Sequence, residues 1–376
     1  MANMSNVLGL IFANMHELTV TDLTKNRAMG SIPFAARYRL IDFPLSNMVN
    51  SGVNNVGVVT KSNYQSLLDH IGSGDEWDLS RKTGGLHFLP PYSNAYGSNG
   101  LYRGRLEALA GVSNFISKAD AEYVIMTDCD CIANVDYKKV VDAHEETGAD
   151  ITVVYGKKLL TPEQTKTRTV LKVDDKGEVY DVLIRPEMAG EFDVSMNIFV
   201  MSKEFLMKII NESASRNLYS FEIDILQHRL KEFKVCGYNY TGYYSQIDGI
   251  QAYYQANMDI MKKEVRKELF NLTDPIYTKV RDEAPAKYGL EASAKNSLIA
   301  DGCIVEGTVE NSVLFRGVKV GKGAVVKNCI LMQNTEVGDK CELNYVIADK
   351  NVKVGNYRSL CGTVDYPVFI NKDSVV

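Results

Sequence analysis

The sequence lacks any apolar run long enough to cross a membrane. Its first, Val7 to Ala13, covers a few residues, against about 20 for a bilayer-spanning helix. Nothing at the N-terminus follows the charged, apolar and small-residue order of a secretory signal. No membrane association is expected, and the cytoplasm is the expected compartment. Seven cysteines include no CxxC pair, and no Cys/His set has zinc-ligand spacing, which argues against a structural zinc site. Cys129 and Cys131 flank Asp130 at an expected strand end and read as packing residues. A formal net charge of −5 provides no pull towards nucleic acid or an anionic bilayer. Small anionic ligands stay open, because a local basic pocket does not show in a net charge.

At 376 residues the chain exceeds what one hydrophobic core usually spans, so two domains are expected. Short apolar runs suited to buried strands occur at Val7–Phe12, Val56–Thr60, Tyr123–Thr127 and Ile151–Tyr155. Helical stretches at Pro44 to Gly52, Tyr64–Ile71, Leu106–Ile116 and Tyr137–Thr147 alternate with them. This order predicts an α/β fold with an open, mostly parallel, Rossmann-like sheet covered on both faces. Ligands of such sheets bind beyond the carboxyl ends of the strands, here after Phe12, Thr60 and Thr127. A hairpin is expected around Asp174-Asp175-Lys176-Gly177, then a strand at Ser195–Met201. Helices follow near Lys203–Asn211, Phe221–Lys231 and from about Gly249 to Lys267. Residues 1–270 form one expected domain. Residues 271–294, with Pro275, Pro285 and little periodicity, read as a linker.

From residue 295 to 376 the pattern changes. Aliphatic residues recur every six positions, as in Leu314, Val320, Val326 and Leu331, Val337, Leu343. Val-Gly pairs fall at Val320-Gly321, Val337-Gly338 and Val354-Gly355. Neither an α-helix nor a hairpin produces that period, but a parallel β-helix of hexapeptide repeats does, each coil burying an aliphatic stack. The segment has no histidine, so acyl transfer through a histidine base is not expected of it.

Several blocks carry a resemblance. Leu23-Thr24-Lys25-Asn26-Arg27-Ala28, Tyr38-Arg39-Leu40-Ile41-Asp42-Phe43-Pro44-Leu45-Ser46-Asn47 and Asn50-Ser51-Gly52 resemble the N-terminal region of ADP-glucose pyrophosphorylase, also called glucose-1-phosphate adenylyltransferase. Cys129-Asp130-Cys131-Ile132 resembles that family's "GDHI" segment, Ser195-Met196-Asn197-Ile198-Phe199 its "SMGIY" strand, and Ala256-Asn257-Met258-Asp259 its "ANMDL" helix. The resemblance covers essentially the whole chain. It implies a nucleotidyltransferase sheet followed by a left-handed β-helix. The family reaction joins ATP and glucose 1-phosphate to give ADP-glucose and pyrophosphate. That reaction needs a glycine-rich phosphate loop, basic side chains, and carboxylates for Mg²⁺.

The chain departs from the pattern where phosphate is handled. The family loop "AGGxGTRLxPLT" is matched by Ala13 to Thr24, with Asn14, Met15 and Glu17 in place of glycines and Thr19 in place of the arginine. Side chains there obstruct the backbone approach that glycine allows, and Glu17 repels a triphosphate. Met29 and Gly30 replace the lysine and proline of "RAKPAV". Asp130 matches the first metal-binding aspartate, whereas Gln246 replaces the second, and a neutral amide is a poor Mg²⁺ ligand. Asp248 lies two residues on. Tyr102 and Gly104 match "WYRGTADA", but Arg105-Leu106-Glu107 replaces "TAD". Arg185 keeps the positive charge of "EKP".

No catalytic set is therefore intact. The pattern looks like a non-catalytic subunit of the bacterial enzyme: inactive or weak alone, with no cofactor of its own. Its expected partner is a catalytic homologue in a hetero-oligomer, expected to be a tetramer. A residual pocket of Tyr102, Arg185, Ser195, Lys25 and Arg27 would bind a sugar-phosphate effector. Arg37, Arg39 and Asp42 could equally form a structural ion-pair cluster. Two alternatives stand beside this reading. One is a weakly active adenylyltransferase using His16, Lys25 and Asp248 as compensating contacts, and the other is a stand-alone sugar-phosphate sensor.

Overall fold

The computed structural model describes residues 3–91 and 102–376. Val7–Phe12 is buried at every position, the pattern of a strand covered on both faces. Val7 and Ile11 enter one hydrophobic core, and Leu8, Leu10 and Phe12 enter the other. This strand, β1, is central in a nine-stranded sheet. The others are β2 (Asn55–Val59), β3 (Gly85–Leu89), β4 (Tyr123–Asp128), β5 (Ile151–Leu160), β6 (Thr169–Val173), β7 (Val179–Ile184), β8 (Gly190–Ser202) and β9 (Val235–Asn239). Their order is β7-β6-β8-β4-β1-β2-β3, with β5 pairing β8 and β9. Strands β4, β1, β2 and β3 run parallel, so their carboxyl ends open on one edge. Strand β8 is antiparallel to β4 and β5, and β6 and β7 form the expected hairpin.

Three helices differ from the sequence reading. The stretch Leu106–Ile116 is two short helices, Arg105–Gly111 and Ser113–Lys118, that meet at a non-helical Val112. The helix expected over 249–267 breaks after Asp259 and restarts at Lys263, because Lys262 adopts an extended conformation. Phe221–Gln227 winds as a π-helix, a form that recurs at functional positions; here it carries Glu222.

The C-terminal part is a left-handed parallel β-helix of three five-stranded parallel sheets. Its first strand, Lys287–Tyr288, pairs with Ile304–Val305, so the solenoid starts within the expected linker. The reason is stacking, since an outer coil needs a neighbour on one side only. Val305, Val320, Val337 and Val354 share one buried stack. At the corners Asn311, Asn328, Asn334 and Asn351 take positive φ, which asparagine tolerates better than most residues. A Cβ on Gly321 would lie 2.8 Å from the Asp339 nitrogen of the next coil, so the Val-Gly pairs mark close stacking.

The two domains share a core. Val313, Phe315, Ile330, Met332 and Ile347 of the solenoid belong to the cluster that holds Phe34, Phe43 and Tyr253. A buried ion pair crosses the seam: Arg27 Nη2 donates to both Asp349 oxygens at 2.8 and 2.7 Å. The seam is otherwise rich in cations. Burial, with Arg39 and Arg27 nearby, pulls the Lys350 ammonium down to about 7. Burial also lowers Arg316, aided by Arg37 and Arg281, and Arg316 Nε has no hydrogen-bond partner. The Arg39 guanidinium donates to Ser66, while Asp42 accepts from the Arg39 backbone and contacts His70. Among the described residues no helix is long and apolar enough to cross a membrane.

Removing one partner of a buried pair strands the other's charge. Arg27→Ala should lower unfolding free energy by about 3–5 kcal/mol. The double change Arg27→Met with Asp349→Leu should lower it much less, as read from denaturant midpoints.

Candidate functional site

The carboxyl edge of β1 and β4 carries a cluster of buried charge. Phe12 pairs with Asp128 in register, so the loop that leaves β1 passes beside the two acids ending β4. Strand β8 bulges between Ser195 and Ile198, and Asn197 takes a φ of 56° there. Such a bulge re-aims a side chain, and Asn197 Nδ2 donates to Asp130 Oδ2 at 3.4 Å.

Arg105 lies at the centre with no exposed surface. Its guanidinium sits between the Phe12 and Phe199 rings, 4.7 and 5.3 Å from their centroids. It donates to both oxygens of Asp128, at 2.7 and 2.9 Å, and to Glu222 at 2.9 Å. The planar fork of arginine suits this bidentate contact. Burial alone would raise Asp128, but Arg105 and His16 hold it below the usual carboxylate range.

His16 enters from the β1 loop. Its Nε2 stands 2.9 Å from Asp128 Oδ2 and 4.0 Å from Asp130 Oδ2. Burial pulls this imidazole down; Asp130 and Asp128 outweigh it and push it to about 9. The ring is therefore an imidazolium at neutral pH. Burial, reinforced by Asp128, raises Asp130 against the pull of His16.

The loop closes on itself. Asn14 donates to Glu17 Oε2 at 2.7 Å and to the Ser62 carbonyl at 3.1 Å, and accepts from the Lys61 backbone. Thr19 donates through its hydroxyl to the His16 carbonyl at 2.8 Å, ending a 3₁₀ turn over Glu17–Thr19. Met15 packs against the core beside β1, and Met29 is buried. No glycine-lined cradle remains between Ala13 and Thr24.

The residues expected to hold an anion do not converge. Arg27 is committed to Asp349 at the seam, so its assignment to the sugar-phosphate pocket is corrected. Lys25 and Arg185 are exposed and lie outside the cavity in front of Asp130, which is lined by His16, Thr19, Asp130, Thr167, Arg168, Thr169, Asn197, Glu222, Gln246 and Asp248. Tyr102 is half-buried with its hydroxyl unpartnered and Lys61 Nζ over its ring at 5.5 Å. Ser195 is buried, its hydroxyl accepting from the Asn197 backbone at 3.2 Å. Asp248 accepts through Oδ2 from Arg168 and Thr167, each at 2.8 Å. Cys129 and Cys131 pack in the core.

His16, Asp128 and Asp130 offer ligand atoms that lie within 4.8 Å of one another. Mg²⁺, which the family reaction implies, needs about six oxygens in octahedral array. Asp128 has both oxygens on Arg105, the nearest third ligand is a charged imidazole, and Gln246 Nε2 is spent on the Ser195 carbonyl at 3.1 Å. The residues as folded do not fit Mg²⁺. Asp130 Oδ1 and Gln246 Oε1 are nonetheless buried without a partner.

Sequence reasoning noted Arg105 only as a departure and His16 only as a possible substitute. It missed Asp128, Asn197, Arg168 and Glu222. The one local signal was the pair of acids, Asp128 and Asp130, at the end of an apolar strand.

A sheet edge with a residual acidic pocket, followed by a hexapeptide solenoid, defines a nucleotidyltransferase-type protein. The nucleotidyl transferase family pattern matches residues 19–263, and a C-terminal hexapeptide pattern of the GlmU-like kind matches residues 283–361. Glycogen biosynthesis protein GlgD of Bacillus subtilis (strain 168) is 35% identical over 99% of this chain and 97% of its own. Glucose-1-phosphate adenylyltransferase of Clostridium perfringens (strain SM101 / Type A) is 36% identical over 86% of this chain and 83% of its own. Glycogen biosynthesis protein GlgD of Geobacillus stearothermophilus is 35% identical over 86% and 83%. The chain belongs to the nucleotidyl transferase family, in the group of glucose-1-phosphate adenylyltransferases and their glycogen-biosynthesis relatives.

Arg105→Met keeps the packing volume between two rings and removes the charge. It should cost about 3–5 kcal/mol by stranding Asp128. The added change Asp128→Leu should recover most of that loss, measured by chemical denaturation.

Proposed function

We propose that this chain is a catalytically degenerate, regulatory subunit in glycogen biosynthesis. It modulates a catalytic homologue that makes ADP-glucose from ATP and glucose 1-phosphate. The two work in a hetero-oligomer, taken here to be a tetramer in the cytoplasm. One observation carries this reading: Asp128, at the end of β4, already has His16 Nε2 at 2.9 Å and Arg105 Nη1 at 2.7 Å. His16 and Arg105, the chain's own cations, take the room and the charge that metal-bound phosphates would need. The loop that should offer free amides is closed by Asn14 and Glu17. Two relatives named glycogen biosynthesis protein GlgD support the same reading. On this view the subunit needs no cofactor of its own, and Mg²⁺ belongs to the catalytic partner's reaction.

An anionic effector of the sugar-phosphate class is better served by the domain seam than by the pocket expected around Tyr102, Arg185 and Ser195. Burial, and beside it the charge of Arg281, lowers Arg39, Arg316 and Lys350 there, and an anion would offset both. A ligand that prefers one arrangement of the seam can bias how the domains present themselves to a partner.

Pyrophosphate release from ATP, glucose 1-phosphate and Mg²⁺ tests the main reading. The chain alone should be silent, and added to its catalytic homologue it should change rate, substrate affinity or effector response. Robust turnover alone, or no change in the mixture, would sink it. Sulfate tests the seam. At pH 6 it should raise the melting temperature, because bound ligand stabilises by about 2.7 kcal/mol at a hundredfold excess over Kd. Lys350 is protonated below its value of about 7, so the gain should shrink as pH rises to 8.5. Lys350→Met should flatten that dependence.

A further inference from the structure

We propose that the cavity between the N-terminal domain and the last loop of the solenoid binds a small organic oxyanion, a phosphate monoester or a carboxylate, on Lys158 and Arg168. The inference rests on the regulatory reading for its use, because such a molecule would be an effector. The cavity holds about 730 Å³, room for a metabolite-sized molecule. Its walls are residues 157–160 of β5, the segment from Gly242 to Gly249, the helix Ile250–Asp259, and Val364 with Asp365 from the solenoid. Arg39, Arg316 and Lys350 of the seam are not part of its walls. A molecule seated there would touch both domains, which is how an effector can bias the way they meet a partner.

Arg168 is the first anchor. It is 8% exposed and stands in the wall between this cavity and the one in front of Asp130. Among the described residues its one hydrogen bond runs from Nε to Asp248 Oδ2 at 2.8 Å, and Nη1 is buried without a partner. A guanidinium offers its donors as a planar fork, and buried donors left unmade are costly. Lys158 lines the same space. Its ammonium, with three donors, gives one to the Tyr244 carbonyl at 2.9 Å and sits 4.0 Å from the centroid of that ring. The Tyr244 hydroxyl donates to the Gly156 carbonyl at 2.9 Å, which fixes the ring against the ammonium. The acids of the cavity do not complete either cation. Asp259 accepts from Lys262 and Tyr243 at 2.7 and 3.1 Å, Glu163 from Lys166 at 2.9 Å, and Asp365 from Gln251 at 3.4 Å. Asp248 meets Arg168 through one oxygen that it shares with Thr167. An oxyanion presents two or three acceptor oxygens to the donors left over.

Inorganic phosphate and acetate are the probes, titrated by calorimetry at pH 7 into the full chain carrying Lys350→Met, which silences the seam. At least one of them should bind. Lys158→Met should weaken that binding at least about tenfold by removing a charged donor. Arg168→Gln combined with Asp248→Asn, which leaves no acid stranded, should do the same. Lys158→Gln provides the comparison if the methionine variant does not fold. Phosphate binding tighter than acetate assigns the site to phosphate monoesters, and the reverse assigns it to carboxylates. In crystals soaked with selenate, anomalous density should lie between Lys158 Nζ and the Arg168 guanidinium. Affinity unchanged in both variants, anomalous density only elsewhere, or no binding of either probe would overturn the proposal. The titration uses the lone chain, so its failure is separate from that of the mixing assay. If only the mixing assay fails, the effector role falls and the site stands.

Discussion

Charge removed from water must be neutralised within hydrogen-bond reach, and this constraint shapes both ends of the N-terminal domain. At the carboxyl edge of the sheet Asp128 is buried under the loop that leaves β1, and Arg105, sandwiched between Phe12 and Phe199, answers it with two parallel hydrogen bonds. Isolated ions there would each cost several kcal/mol by desolvation alone. The surrounding loop, bulge and π-helical turn are consequences, since each delivers one more partner: His16, Asn197 and Glu222. At the seam the same rule pairs Arg27 with Asp349 across 322 residues of sequence.

These two networks have opposite outcomes. Around Asp128 the chain's own Arg105 and His16 answer the acids. Around Lys350 the count is not met: cations outnumber the acids that face them, and burial together with Arg39 and Arg27 loosens the ammonium's proton. The chain thus places its own cations on the acids at the sheet edge and gathers further cations at the junction of its domains.

Much of the architecture was legible from periodicity. The buried run Val7–Phe12, the hairpin turn at Asp174 to Gly177 and the six-residue spacing from Leu314 to Leu343 are local patterns with one stable reading. Helix breaks were not legible. Val112 follows Gly111, a weak local signal at the end of the first helix, whereas nothing beside Lys262 marks its extended conformation. The loss of the phosphate loop was readable from Asn14, Met15 and Glu17, because the absence of glycine is a local fact. What fills the space was not, and Arg27 shows why: its place in a block resembling the family's pointed to an anion, whereas its partner Asp349 lies in the other domain.

The sequence by itself determined the two-part architecture, the strand ends where chemistry would be sought, and the absence of a glycine cradle. Each depends on residues close together in the chain, where spacing and side-chain size decide the outcome. Only the tertiary structure decided that His16 and Arg105 contact Asp128, that Asp248 accepts from Arg168, and that cations gather at the seam. Electrostatic partnership depends on distance in space and on burial. Both are set by how β1, β4, β8 and the solenoid pack, and neither is written in any one stretch of residues.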